Sequence, residues 1–187
     1  MDIDIDSADR ERILKLIKNT PASIHRERET VKHNTGVYVN PVPLDPESGM
    51  CTLDHKVAED IGYVKLDFLN VNVYERVQDN NHLERLLNTE PDWSRLADRS
   101  FVENIIHINN HHDTMQKMPE PVNSIPRMAM MLSVIRPAKR HLIGLSWKTV
   151  AETVWQKPTD GSYYFKHAHA VGYATLVAVN MNLDCGV

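Results

Sequence analysis

The sequence predicts an α+β domain in which a small sheet carries acidic residues and helices pack against it. Two segments, residues 2–6 and 61–69, alternate apolar and polar residues as strands do. After residue 73 the apolar residues instead recur mostly at helical spacing. We therefore expect a small sheet that presents functional groups, followed by a helical portion.

Length and composition indicate one compact globular domain. The chain has 187 residues, enough for a real core, and it shows neither internal repeats nor a clear linker. With 42% hydrophobic and 25% charged residues, it is not a disordered or fibrous chain. We expect a single domain over residues 1–187, with a sheet-bearing portion at 1–72 and a helical portion at 73–187.

The charge, cysteine content and hydropathy of the sequence predict the compartment of the protein and limit the molecules that it binds. Against 25 acidic residues there are 21 Lys and Arg, and the net charge of −4 argues against a strong, undirected hold on nucleic acid. Two cysteines are too few for a disulfide scaffold and fit a reducing compartment. No apolar run approaches the ~20 residues that span a bilayer, and no apolar leader opens the sequence. These features predict a cytoplasmic protein with no membrane association.

The first strand has an acidic face. Alternation along residues 2–6 directs Ile3 and Ile5 toward a core and places Asp4 and Asp6, with Asp2, on the other face. From residue 7 the apolar period becomes helical and continues to about residue 18.

The remaining elements follow from the same periodicities. The strand at 61–69 directs Val64, Leu66 and Phe68 to a core and places Lys65 and Asp67 on the other side. Residues 36–40 predict a further short strand. The predicted helices lie at residues 73–87, 101–110, 127–135, 148–156 and 167–181.

The aspartates on the two strands are candidate metal ligands. Asp4 and Asp6 are two residues apart, so their carboxylates are about 7 Å apart along one face. If the strand that carries Asp67 pairs with the first strand, three carboxylates converge, and divalent cations such as Mg²⁺ would relieve their repulsion. The spacing alone fits a solvated acidic strand edge equally well.

A basic segment and a histidine pair are further candidates. Residues 127–151 contain five Lys and Arg and no acidic residue, so Arg136, Lys139 and Arg140 could contact phosphates or simply form a solvated helix end. His107 and His111 are four residues apart on a predicted helix, a spacing that can hold a transition metal, but no matching partner is evident elsewhere.

Five short segments, in order along the chain, resemble the palm and fingers of C-family DNA polymerases, the bacterial replicative DNA polymerase III alpha subunits. Residues 2–6 resemble the family's Asp-x-Asp-x-Asp strand, and residues 32–37 its Lys-His-Ala-Gly-Gly-Val motif. Residues 62–70 are similar to its Gly-x-Val-Lys-Phe-Asp-Phe-Leu-Gly strand. Residues 136–139 and 165–174 are similar to the Arg-Pro-Gly-Pro and Phe-Asn-Lys-Ser-His-x-Ala-x-Tyr-Ala segments of the fingers.

The resemblance implies roles for individual residues. It implies a catalytic and metal-binding triad of Asp4, Asp6 and Asp67. It places Lys32 and His33 near the substrate phosphates, and it directs four residues of the helical portion toward the incoming nucleotide: Arg136, Lys166, His169 and Tyr173. Lys139 and Arg140 join the substrate-binding set from the basic segment.

The resemblance implies a minimal polymerase: transfer of a nucleotide from a nucleoside triphosphate to a DNA primer–template that is held weakly, with two Mg²⁺ or Mn²⁺ ions. The small size suggests a phage or mobile-element origin, with the host cytoplasm as the location. The chain also departs from the family. The region corresponding to the family's thumb is reduced to residues 7–31, Asn70 replaces a glycine, and the pair Ala138–Lys139 departs from the Gly-Pro signature. These departures favour the alternative, a catalytically silent relic or mimic that binds nucleic acid or a replication protein.

Overall fold

The chain folds into two compact units, the first ending at Val77 and the second formed by Gln78–Val187. The structure is a computed structural model that describes residues 2–187, and the side chains from residue 3 onward. The boundary between the units lies five residues after the predicted division at residue 72. The side chain of Asp2, which we predicted to share the acidic face, lies outside the described part.

The first unit is built on a four-stranded mixed sheet. Its strands are β1 (Asp2–Ser7), β2 (Thr20–His25), β3 (Thr30–Tyr38) and β4 (Lys65–Asn70), in the order β1-β4-β3-β2. Strand β1 runs parallel to β4, whereas β3 is antiparallel to both β4 and β2. Helix α1 (Arg10–Leu16), helix α2 (His55–Asp60) and a 3-10 helix at Asn72–Arg76 complete the unit.

The order of the strands follows from their connections. A parallel pair such as β1 and β4 cannot be joined by a tight turn, so the chain between them must cross over. That intervening chain supplies α1, α2 and the β2–β3 hairpin, which adds to the free edge of β4. Helix α1 begins where Asp9 caps it, since the Asp9 carboxylate accepts a hydrogen bond from the Arg12 amide at 3.0 Å.

The burial of the two faces of the sheet differs from the prediction. Ile3 is 42% exposed, so the first strand does not bury its apolar side as predicted. Conversely Lys65 and Asp67, predicted on the outer side of β4, are buried. A small core of Ala22, Tyr38, Cys51 and Ala58 lies in this unit. The side of β4 that bears the charged residues is therefore covered.

The second unit is helical. Its helices are α3 (Asn80–Asn88), α4 (Arg99–Val102), α5 (His112–Met115), α6 (Ile125–Val134), α7 (Trp147–Thr153) and α8 (His167–Asp184), with 3-10 helices at Trp93–Ala97 and Pro137–Leu142. Helix α6 packs against α8, and their buried residues form the centre of one large core. Ser124 caps α6 by accepting a hydrogen bond from the Arg127 amide, and Pro126 lies in the first turn.

Several predicted elements need correction. The helix expected over 101–110 ends at Val102, and the following residues form turns. The helix expected over 73–87 is divided between a 3-10 helix and α3. Strand β2 was not predicted, because Pro21 near its start indicates a turn rather than a strand. Helix α2 was not predicted either.

The coarse fold class is nevertheless confirmed as α+β, with a small mixed sheet and helices. None of the helices in the described residues combines the length and the apolar content required to cross a bilayer.

A buried asparagine joins two helices of the second unit, and its loss should be costly. Asn182 is buried on α8 and its Nδ2 donates hydrogen bonds to the carbonyls of Leu86 and Thr89 at 2.9 and 2.8 Å, at the end of α3. We expect Asn182→Ala to lower the free energy of unfolding by about 2–4 kcal/mol, since the Leu86 carbonyl loses a buried hydrogen bond and the Thr89 carbonyl a partly buried one. Urea unfolding measures this change. Asn104→Ala, which removes an exposed amide bonded to the Ser100 carbonyl, is the control and should cost less than about 1 kcal/mol.

Candidate functional site

The parallel pairing of β1 and β4 sets two of the predicted aspartates side by side. Asp4 lies directly opposite Asp67 in the register, and Asp6 follows two residues later on the same face. Both Asp4 and Asp6 are exposed. Desolvation and, second, the charge of Asp4 raise the pKa of Asp6 above its ordinary value. The two carboxylates of β1 therefore repel each other, as the sequence predicted.

Asp67 has a different environment from the aspartates of β1. Its carboxylate is buried and paired with the ammonium of Lys65, two residues earlier on the same strand. The Thr35 hydroxyl donates a hydrogen bond to its Oδ1 at 2.6 Å, and His33 Nδ1 lies 3.7 Å away. Burial alone would raise the pKa of Asp67, but the hydrogen bonds from Lys65 and Thr35 and the neighbouring charges lower it. Asp67 is therefore held as a charged carboxylate.

An irregularity in β3 brings His33 and Thr35 to Asp67. Residues 33–36 of β3 lie opposite a single residue of β2, Ala22, so the strand bulges there. His33 Nδ1 closes the bulge by accepting hydrogen bonds from the amides of Thr35 and Gly36 at 3.3 and 2.9 Å. The predicted motif at residues 32–37 thus coincides with this bulge, and bulges commonly redirect side chains next to functional sites.

Gly36 is required for the close approach of β3 to Lys65. It is opposite Asp67 in the register, and a Cβ at this position would lie 2.7 Å from Lys65 Cδ and 3.0 Å from His33 Nδ1. The Lys65 side chain therefore crosses the bare backbone of Gly36 on its way to Asp67.

The three aspartates supply the oxygen ligands that a hard cation such as Mg²⁺ prefers, but they are not gathered into a close group. Among the side chains that the structure describes, no group of three or more His, Cys, Asp and Glu residues is gathered closely enough to hold a metal ion. However, Asp4 and Asp6 are exposed carboxylates of like charge, and each Asp67 oxygen accepts one of the hydrogen bonds described above and keeps a second lone pair. A divalent cation would have to share Asp67 with the Lys65 ammonium.

A second cluster surrounds Arg136 in the helical unit. The guanidinium lies over the Phe165 ring, 3.9 Å from its centroid, and Phe165 stacks on Tyr173 with centroids 5.5 Å apart. The His107 ring meets Tyr173 edge-on, at 4.5 Å between centroids. Two residues that the resemblance directed to the nucleotide, Arg136 and Tyr173, are thus brought together around Phe165.

The other predicted contact residues are placed separately. Lys139 is buried, and its ammonium donates to the Thr153 carbonyl at 2.9 Å, so this amine stabilises the fold where we predicted a phosphate contact. Arg140 is exposed and its Nε donates to the Ile135 carbonyl. Three further predicted residues have exposed side chains: Lys32 on β3, Lys166 just before α8, and His169 on α8.

Sequence reasoning missed Lys65, Thr35 and the environment of His107. Thr35 and Lys65 lie inside the motifs that carry the resemblance, and only the register of the sheet shows that both contact Asp67. His107 does not lie on a helix with His111, because its φ of 66° places it in the left-handed region. The predicted helical pair of histidines is therefore wrong.

Comparison of the chain with models of protein families, with curated proteins and with solved structures found no match. The resemblance to C-family polymerases consequently remains a prediction made from the five sequence segments.

The close contact at Gly36 predicts a sharp response to a single methyl group. We expect Gly36→Ala to lower the free energy of unfolding by about 1–3 kcal/mol, because the new Cβ overlaps Lys65 and His33. Gly172→Ala is the matched control, since Gly172 is exposed within α8 and a Cβ there meets nothing within 4 Å. This control should stabilise the protein by about 0.5–1 kcal/mol. Equal effects of the two substitutions in thermal or urea unfolding would contradict the packing described for Lys65.

The histidines near Arg136 predict a pH dependence of stability. Burial, then the charge of Arg136, lowers the pKa of His107, and burial with Arg136 and Arg140 lowers that of His111. Below the ordinary value of 6.5, the unfolded chain binds protons that the folded chain does not, so the free energy of unfolding falls as the pH decreases. Urea unfolding between roughly pH 7.5 and pH 5.5 spans this range.

A substitution of His107 tests the contribution of this residue. His107→Asn, which tolerates the left-handed backbone, should make the decrease in stability shallower. His141→Asn removes an exposed imidazole and is the matched control. An unchanged pH profile in His107→Asn would exclude His107 as a source of the effect.

Proposed function

We propose that the chain is a reduced nucleotidyltransferase of the C-family polymerase type, with the catalytic residues Asp4, Asp6 and Asp67 in the sheet unit. The observation that carries this proposal is the register of β1 and β4, which sets Asp4 opposite Asp67. The two aspartate segments are about sixty residues apart in the sequence, and the parallel pairing of β1 and β4 brings them to neighbouring positions. The proposed substrates are a nucleoside triphosphate and the 3′-hydroxyl of a nucleic-acid primer.

In this proposal the three aspartates bind the cation, and the residues around Asp67 orient its carboxylate. Asp4 and Asp6 offer exposed oxygens, and Asp67 offers oxygens whose orientation is fixed by Lys65 and Thr35. Bound Mg²⁺ or Mn²⁺ supplies Lewis-acid stabilisation of the transferring phosphoryl group and favours ionisation of the attacking hydroxyl. The bond that forms joins the 3′-oxygen to the α-phosphorus, and the bond that breaks releases pyrophosphate.

Basic residues of the sheet unit lie beside the carboxylates and suit a phosphate there. The Lys65 ammonium is paired with Asp67, and His33 Nδ1 lies 3.7 Å from Asp67 Oδ1 and 3.4 Å from the Thr35 hydroxyl. Lys32, exposed on β3, is the residue that could reach a more distant phosphate. We assign Lys32 and His33 to the substrate phosphates, as the resemblance implies.

One observation favours a second candidate function. The Lys65 ammonium neutralises Asp67, and the described side chains include no ready-made group of three metal ligands. These features suit a protein that keeps the polymerase pattern but only binds nucleic acid or a replication protein. The two candidates differ in whether a divalent cation binds at Asp4 and Asp67.

Primer extension in the presence of Mg²⁺ or Mn²⁺ tests the catalytic proposal. We expect extension of a labelled primer–template by the wild-type protein, and a loss of roughly 100-fold or more in Asp4→Asn and in Asp67→Asn, because metal ions contribute several kcal/mol to such reactions. Asp60→Asn removes an exposed aspartate of the same unit and is the matched control, which should retain full activity.

Metal-dependent stability separates the two candidate functions. We expect millimolar Mg²⁺ or Mn²⁺ to raise the melting temperature of the wild type relative to chelator, because a ligand that binds only the folded state stabilises it. Asp4→Asn should abolish this increase and Asp60→Asn should keep it. If neither extension nor metal-dependent stabilisation is observed, and a labelled oligonucleotide still binds, the non-catalytic function is the correct one.

A further inference from the structure

Helix α1 is attached to the end of β4 by a side chain that comes from the sheet. Arg10 is the first residue of α1, and Asn70 Oδ1 accepts a hydrogen bond from its backbone amide at 2.8 Å. The first amides of a helix have no acceptor within the helix, so each needs one from elsewhere. Asp9 accepts from the Arg12 amide, and Asn70, sixty residues away in the sequence, accepts from that of Arg10. A glycine at position 70, as in the family that the chain resembles, would have no side chain to accept this hydrogen bond.

Further polar contacts lie at the same end of the parallel pair. Ser7, the register partner of Asn70, is buried, and its hydroxyl donates a hydrogen bond to the Leu69 carbonyl at 3.3 Å. The Ser7 carbonyl accepts a hydrogen bond from the Val71 amide at 2.8 Å. The last residues of β1 and β4 and the start of α1 are therefore joined by hydrogen bonds into one corner of the sheet unit.

The Arg10 side chain extends from this corner to the bulge in β3. It is 9% exposed, and its Nη2 donates a long hydrogen bond to the Thr35 carbonyl at 3.5 Å. Its Nη1 is paired at 2.9 Å with the carboxylate of Glu11, which is 70% exposed. Thr35 is also the residue whose hydroxyl donates to Asp67. A continuous series of contacts thus joins the start of α1 to the Asp67 carboxylate.

Stability alone does not account for a buried arginine at this position. Arg10 Nε is buried, and it has no hydrogen-bond acceptor in the part of the chain that the structure describes. A buried donor without an acceptor costs free energy, and an ion pair with an exposed carboxylate returns little. An apolar side chain of similar length would avoid this cost, since apolar replacements of buried ionic groups are often neutral or stabilising. What the guanidinium supplies, and an apolar side chain does not, is the contact with the Thr35 carbonyl.

We propose that Arg10 and Asn70 are positioning residues for the candidate catalytic site, because they hold the bulge so that the Thr35 hydroxyl meets the Asp67 carboxylate. Asn70 fixes the point at which α1 begins, and Arg10 extends from that point to the Thr35 carbonyl. Both residues act on Asp67 through Thr35. The catalytic consequence rests on the proposed function, whereas the position of the Asp67 carboxylate does not.

The carboxylate-carbon NMR resonance of Asp67 tests this role without any need for activity. It is measured in the full chain, at one pH and in chelator. Thr35→Val removes the hydroxyl donor and therefore gives the direction of the shift. We expect Arg10→Met and Asn70→Gly to move the resonance in that direction. Asn70→Asp keeps an acceptor for the Arg10 amide and should resemble the wild type. Arg12→Met removes an exposed arginine of the same helix and is the matched control, with no shift expected.

Primer extension by a double variant tests whether Arg10 acts through Thr35. We expect Arg10→Met to lower kcat roughly fivefold to twentyfold, the effect of one hydrogen bond, and to leave the KM for the nucleoside triphosphate unchanged. Arg10→Met combined with Thr35→Val should lose no more kcat than Thr35→Val alone, because Arg10 then has no hydroxyl to position. Losses that multiply in the double variant would overturn the route through Thr35.

The remaining outcomes separate this inference from the catalytic proposal. If the wild type extends no primer, the catalytic proposal fails and the Asp67 resonance alone decides the positioning role. A loss of stability in Arg10→Met with an unmoved Asp67 resonance would make Arg10 purely structural and overturn the proposal. If Arg10→Met does not fold, the comparison of Asn70→Gly with Asn70→Asp takes its place. An unmoved Asp67 resonance in Asn70→Gly, or equal shifts in these two variants, would then refute the positioning role.

Discussion

The buried ion pair of Lys65 and Asp67 constrains everything the sheet unit can bind. The two side chains are 3% and 10% exposed, and removing one member of such a pair costs about 3–5 kcal/mol because the other charge remains buried. A divalent cation at Asp67 would meet a carboxylate that is already partly neutralised, and it would compete with the Lys65 ammonium for the carboxylate oxygens.

The bulge in β3 makes that ion pair possible. A regular strand at 33–36 would place a side chain where the Lys65 methylenes cross, but here the crossing point is Gly36. His33 holds the bulge through two backbone amides, and Thr35, turned toward β4 by the same irregularity, donates to Asp67. One short irregular segment therefore leaves room for Lys65 beside Asp67, supplies a second hydrogen bond to the carboxylate and places an imidazole beside it.

The sequence patterns predicted the parts of the fold that depend on local periodicity. The alternation in β1 and β4 and the helical spacing in α6 and α8 were sufficient to place these elements within a few residues. The patterns failed where burial is arranged by tertiary contacts. Ile105 and Ile108 are fully buried at helical spacing, yet they lie in turns, and the left-handed backbone of His107 between them has no sequence signal such as glycine. Likewise, the alternation of residues predicted that Asp4 and Asp6 share one face of β1. The pairing of Asp67 with the Lys65 ammonium was not predictable, because it depends on the sheet register and on the bulge.

Each unit contains charge that the fold does not fully compensate, and the sign of that charge differs between the two units. In the sheet unit the charge is negative, and in the helical unit it is positive. In the sheet unit, Asp4 raises the pKa of Asp6, and a cation would reduce this repulsion. In the helical unit, Arg136 Nε is buried without an acceptor among the described residues, and burial with the charge of Arg136 lowers the pKa values of His107 and His111, so added positive charge is disfavoured there.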